Sequence, residues 1–295
     1  MSEADDAKRV PPIRAEFVNP AITSGELGVA ENPLSWLERL RNNEAARKAF
    51  ILAVLALAWE SYARLLDNDL IFPTLTQTVQ AFWEATARGP LIDRILTSLK
   101  VLSMGYGAGI ALAGVLTTIA VTTRIGTDLL STLTAMFNPL PAIALLPLAL
   151  LWFGLGIPSL IFVIIHSVLW AVALNTHTGF LSVPDTLRMA GRNVGLSGLR
   201  YVALILIPAA FPSILAGLKI GWAFAWRTLI AAELVFGVSS RSGGLGWYIY
   251  ENRNQLETAN VFAGLLAVIV IGLVVESVIF RTIERHSVRK WGMQR

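Results

Sequence analysis

The sequence predicts an all-α integral membrane protein with about six transmembrane helices, and three observations carry that prediction. The 295 residues are 55% hydrophobic and only 15% charged, with a mean hydropathy of +0.61. That balance is too apolar for a soluble domain of this length. Six stretches reach the ~20 largely apolar residues that crossing a bilayer core requires: 48–66, 95–122, 129–153, 158–180, 213–238 and 259–281. Lys and Arg gather at the ends of these stretches, on alternate sides, as membrane topology demands.

Residues 1–32 are polar, carry Pro11 and Pro12 among several acids, and have no apolar core of a secretory signal, so they read as a disordered cytoplasmic tail. Residues 33–47 read as an interfacial helix. Leu34, Leu37 and Leu40 form its apolar face, Trp36 suits the headgroup layer, and Arg39, Arg41 and Arg47 face phosphates. A simple extension of the first span accounts for the same residues. The transmembrane region runs over 48–284, and 285–295 form a basic cytoplasmic tail.

After the first span an amphipathic helix is expected over 76–88, stopped by Gly89 and Pro90. A short turn near Arg124 joins the second and third spans. The third contains Asn138, Pro139, Pro141 and Pro147 and is expected to bend, because proline removes a helical hydrogen bond. The next turn, 153–158, is tight and glycine-rich. With the N-terminus inside, sixteen Lys and Arg face the cytoplasm, and only Arg88, Arg94, Arg241 and Arg253 face outward. Both termini and the 183–208 connection are therefore expected inside.

Several function classes lack their chemistry here. There is no cysteine, and His166, His177 and His286 lack the spacing of a helical metal pair, so no metal site is expected. No glycine-rich phosphate loop is present, and no basic patch interleaved with aromatics suggests nucleic acid. No paired carboxylates or nucleophile with a base stand at a workable spacing, so the chain is not expected to be an enzyme.

The 183–208 connection is the most patterned polar segment. Asp185 is placed to cap a short amphipathic helix with Leu187, Ala190 and Val194 on one face and Arg188 and Arg192 on another. Gly195 and Gly198 break it, Leu196 lies at the break, and a second short helix is expected to close at Pro208. The product is a compact knob able to enter a groove on a partner.

Charges inside spans cost about 2.5–3.5 kcal/mol at mid-membrane and so require a partner or a wet path. Glu60, Arg227, Glu233 and Glu276 fall in this class. Trp226, Glu233 and Gly237 share one stripe of the fifth span. Trp226, Arg227 and Glu233 then line a translocation path, with Arg227 attracting an anion, or else Arg227 forms an ion pair with Glu60 or Glu276. Asn138 and His166 are further path candidates, with interhelical hydrogen bonding the alternative.

Stretches in one shared order carry a family resemblance: Leu91 to Leu99, Asn138 to Leu148 with Trp152-Phe-Gly154, the 183–208 connection, Ala225 to Glu233, and Gly243 to Tyr248. They resemble ABC-importer permeases of the nitrate, sulfonate and taurine group. The family's docking pattern, E-A-A-x3-G-x9-I-x-L-P, is matched in spacing by Met189-Ala190-Gly191, Gly195, Ile205 and Ile207-Pro208. Two identities depart from it, since Met189 replaces the acid and Gly191 the second alanine.

The resemblance implies a type I ABC-importer fold with a cytoplasmic coupling-helix loop. Arg188, Met189, Ala190, Gly191, Arg192, Gly195, Leu196 and Pro208 would then dock an ATPase dimer that itself binds ATP and Mg, leaving no cofactor in this chain. A second permease copy, an extracytoplasmic substrate-binding protein and a bacterial inner-membrane location are also implied. The solute would be a small anion: nitrate, a sulfonate or taurine, bicarbonate or an organic carboxylate. A self-contained secondary transporter or channel is the alternative, although no internal repeat supports one.

Overall fold

A computed structural model describes residues 42–236 and 243–289. The expected tail 1–32, residues 33–41 of the expected interfacial helix, Gly237, Arg241 and 290–295 lie outside the described residues. The chain divides into two compact units, 1–54 and 55–295, with the division inside the first helix, α1 (Glu44–Leu66). In the first unit, residues 44–54 belong to α1, where Lys48 pairs with Glu44 at 2.6 Å.

The described residues of the second unit form helices joined by turns and short loops, with no strand. After α1 come α2 (Leu75–Ala87), α3 (Leu91–Thr122), α4 (Arg124–Phe137), α5 (Leu146–Phe153), α6 (Ile157–Leu181), α7 (Asp185–Asn193) and α8 (Gly198–Tyr201). Then follow α9 (Ile207–Phe236), α10 (Leu245–Asn254), α11 (Thr258–Val274) and α12 (Arg281–Glu284). Five helices are long and apolar enough to cross a membrane, and a sixth crossing is made if α4 and α5 count as one broken span. α2 forms where expected because Thr74 and Gln77 build a reciprocal capping box at its start.

α6 is the central post, packed between α3 and α9. Small residues let these helices close together: a Cβ at Gly105 would strike Ile164, and one at Gly217 would strike Asn175. Close backbone approach of this kind drives helix association in lipid, where apolar burial against water is absent.

The bend expected in the third span is a break of 86° between α4 and the short 3₁₀ turn Ala142–Leu145 that leads into α5. Pro139 and Pro141 remove two donors, one on each side of Leu140, and fix the backbone, so neither half can continue the other.

Three local expectations are corrected. Pro208 does not close a helix. The chain runs from Gly198 to Val235 as one long apolar helical path with a π-helical turn at Val202–Leu206, and Pro208 and Pro212 lie within it. The looser turn just before Pro208 accommodates the missing N–H. Asp185 is not the cap of α7. Pro184 holds that position, and Asp185 sits in the first turn, where its charge suits the helix dipole. Glu60 does not pair with Arg227. It binds Arg64 at 2.7 Å and accepts from the Thr76 N–H at 3.1 Å, fastening α1 to the start of α2, while Glu276 is exposed.

Candidate functional site

The broken span, α6 and α9 together line an open cavity of about 400 Å³. Asn138 to Ile143 supply one wall, His166, Ser167 and Trp170 the second, and Phe224, Arg227, Thr228 and Ala231 the third. Non-helical backbone at membrane depth persists only where protein buries it or a water-filled cavity borders it, and here it borders the cavity.

Among the described residues, Arg227 is the only charged one in this lining. Its Nε donates to the Ala223 carbonyl at 3.0 Å, and its guanidinium lies 5.4 Å from the centre of the Phe224 ring. No carboxylate among the described residues forms an ion pair with it. Ser167 and Thr228 share a hydrogen bond of 2.8 Å across the α6–α9 seam. Both ring nitrogens of His166 and the indole N–H of Trp170 are buried with no hydrogen-bond partner among the described residues. Trp170 is held in place by stacking on Phe137, with ring centres 5.5 Å apart.

Of the five residues expected on a path, the structure thus brings together Arg227, Asn138 and His166. It does not bring Trp226 or Glu233 to this cavity. Trp226 is 6% exposed, stacks on Trp222 and donates to the Val268 carbonyl of α11 at 3.3 Å. Glu233 is fully enclosed. Its Oε2 accepts from the Gly246 N–H at 2.9 Å, and both carboxyl oxygens lie 2.8 Å from the Ser98 Oγ. That hydroxyl also accepts from the Leu245 N–H at 2.7 Å. Glu233 and Ser98 therefore satisfy the first free donors of α10 and tie it to α9 and α3. Gly244 and Gly246 are small for this reason, since a Cβ on either would run into Glu233. The 226/233 stripe faces α10 and α11, and residues 224, 227, 228 and 231 form the other face of α9. Sequence reasoning named the helix and missed Trp170, Ser167, Phe224 and Ser98; the positions three before and four after Arg227 were the available signal.

The second constellation is the connection between α6 and α9. α7 ends in a Schellman motif: the Leu196 N–H bonds to the Gly191 carbonyl at 3.1 Å and the Gly195 N–H to that of Arg192 at 2.9 Å. Gly195 has φ +81°, which explains why a glycine stands there. Gly191 lies against Ile205 and Tyr201, where a Cβ would clash, so the departure from alanine permits a tighter crossing. Arg188 turns inward, donating to the Val183 carbonyl at 3.0 Å and to that of Phe180, so it is a brace for the end of α6 and not the partner of Arg192 on an outer face. Arg192 and Ala190 are exposed, as are the apolar Leu187, Met189, Val194 and Leu199. Pro208 lies further along, inside the start of α9.

Comparison with known proteins places these features in a family. Residues 105–290 match the model of the binding-protein-dependent transport system inner membrane component. The chain is 29% identical to a nitrate import permease protein of Synechocystis over 83% of its own length and 90% of the relative's. It is 30% identical to a taurine transport system permease protein of Escherichia coli, over 76% and 82%. A provisionally named ABC transporter permease protein of Methanocaldococcus jannaschii is 31% identical over 81% and 90%. With nearly two thirds of its residues inside the family model, and relatives aligned over most of both chains, this protein belongs to the inner-membrane permease family of binding-protein-dependent ABC importers.

Proposed function

We propose that the chain is the path-forming subunit of an ATP-driven importer for a small anionic solute, and that the α7 knob docks it on a cytoplasmic ATPase. The reading rests above all on one observation: the knob presents exposed Leu187, Met189, Val194 and Leu199 on a frame that is itself fixed at both ends. Arg188 braces it to α6, and Gly191 seats it on the turn that leads into α9. A lever fixed in this way passes a push on the knob into the two helices that wall the cavity.

In this reading both termini and the knob are cytoplasmic, a second copy of the permease completes the path, and an extracytoplasmic binding protein delivers the solute. The partner ATPase holds ATP and Mg, and the bacterial inner membrane is the location. Nitrate and taurine stand in the names of relatives, and Arg227 without an ion-pair partner favours an anion here too. The secondary-transporter alternative draws support from no specific observation.

The test is Val194→Asp, a change at a 75% exposed side chain. Membrane insertion is expected to stay normal, while co-purification with the ATPase and ATP-driven uptake both fall at least about tenfold, because a desolvated carboxylate opposes docking. Normal assembly and uptake in the variant would remove the knob from the docking surface.

A further inference from the structure

We infer that one face of α4, formed by Arg124, Asp128, Ser131, Thr132, Ala135 and Asn138, lines a water-filled route from the Arg227 cavity to the cytoplasmic mouth of the path. The inference rests on the permease reading above and goes beyond it by giving the inner half of the path its residues.

α4 has three faces. At about 100° per residue, Gly126, Leu130 and Thr134 fall on one side and are buried, with Leu133 and Phe137 packed beside them. Ile125, Leu129 and Met136 lie within about 40° of one another and are 82%, 47% and 63% exposed, as suits lipid. The remaining arc of about 120° holds the six residues of the route, all exposed and none a large apolar side chain. Asn138 belongs to this arc because it caps α4 with helical backbone, φ −63° and ψ −35°.

The charges on this arc decide between lipid and water. The hydroxyls of Ser131 and Thr132 donate to the Asp128 carbonyl at 2.9 and 2.8 Å, so lipid alone would tolerate them. Asp128 is different: it lies one turn inside α4, forms no ion pair among the described residues, and is too short to reach back to the headgroups. A carboxylate so placed requires water. Asn138, about 21 Å along the helix from Arg124, already lines the cavity, so the polar arc joins the cavity at one end and the first residue of α4 at the other. Arg124 has no ion-pair partner among the described residues, and with Arg227 it brackets the route for an anion. Asp128 beside it keeps the hold weak, as passage demands.

The chain has no cysteine of its own, which makes the test direct. Ser131→Cys, Ala135→Cys, Leu129→Cys and Met136→Cys are made singly in the permease assembled with its ATPase in lipid nanodiscs. Each is treated, without nucleotide, with methanethiosulfonate reagents carrying a sulfonate or a trimethylammonium group. Positions 131 and 135 are expected to react at least about tenfold faster than 129 and 136, because only a thiolate reacts and lipid suppresses it. Thr132→Cys serves if either route variant does not insert. At position 131, Arg124→Gln should lower the ratio of the sulfonate rate to the trimethylammonium rate about fourfold, the effect of a unit charge two turns away in water on probes of opposite sign. Trapping the ATPase with ATP and vanadate should slow labelling at 131 and 135 at least about fivefold, since the inner half closes when the path opens outward. Rates at 131 and 135 as low as at 129 and 136 would mean a lipid-facing arc and overturn the inference. A disulfide between two copies at position 131 in place of labelling would make the arc an interface and overturn it too. Labelling unchanged by trapping would leave a wet crevice outside the route, and a ratio unchanged by Arg124→Gln would remove Arg124 from its mouth. Failure of the parent chain to assemble with an ATPase would sink the permease reading, and the contrast between the two faces would still decide whether the arc is wet.

Discussion

Arg227 and Glu233 stand six residues apart on one helix, and their surroundings are opposite. Glu233 is fully enclosed, with the Ser98 hydroxyl and a backbone N–H of α10 placed on its carboxyl oxygens. Arg227 is exposed on a cavity wall and spends one N–H on its own helix. Both are charged residues in an apolar span and carry the same insertion cost, yet they meet it differently. One becomes a fastener, satisfied entirely by protein. The other pairs with no carboxylate among the described residues and lines the cavity. A charge in a span thus signals function only when the elements around it leave it without a partner.

The largest expected effect that would break this comparison is on stability. Glu233→Ala removes the acceptor that holds the Gly246 N–H and strands the Ser98 hydroxyl, so unfolding free energy in detergent should fall by about 2–4 kcal/mol, read as a lower thermal midpoint. If Glu233→Ala and Glu233→Gln assemble with parental stability and alter only transport, the carboxylate is a gate and not a fastener.

Arg227→Gln is the mirror experiment. Thermal stability should stay within about 0.5 kcal/mol, as for exposed side chains, while uptake falls about tenfold through loss of anion attraction. A stability loss matching that of Glu233→Ala would make the two residues alike.

Met189→Glu restores the family's acid on the knob and has the smallest effect. Met189 is 56% exposed, so stability should stay within about 0.5 kcal/mol and ATPase affinity within a few-fold. A tenfold gain in affinity would make Met189 a weakened docking contact and not a substitute for the acid.

Much of this was legible before the fold was known. Apolar length announced the spans, Pro139 and Pro141 announced the break, and the spacing of Gly195 announced the end of α7. Each is a local property of the backbone, decided within a few residues. The failures share a different cause. Pro208 reads as a stop until a π-helical turn beside it absorbs the missing donor. Arg188 reads as an outward charge until the carbonyls at the end of α6 are brought within reach.

The sequence by itself determined the membrane class, the helical order, the broken third span and the glycine-hinged knob, because hydropathy, proline geometry and glycine's access to positive φ act locally. Only the tertiary structure decided which face of α9 meets the cavity. Ser98 and Glu233 are 135 residues apart, and the wall opposite Arg227 comes from α6 and from the break between α4 and α5. Partners at that separation are set by helix packing, so no periodicity along the chain distinguishes a carboxylate that fastens from an arginine that lines the cavity.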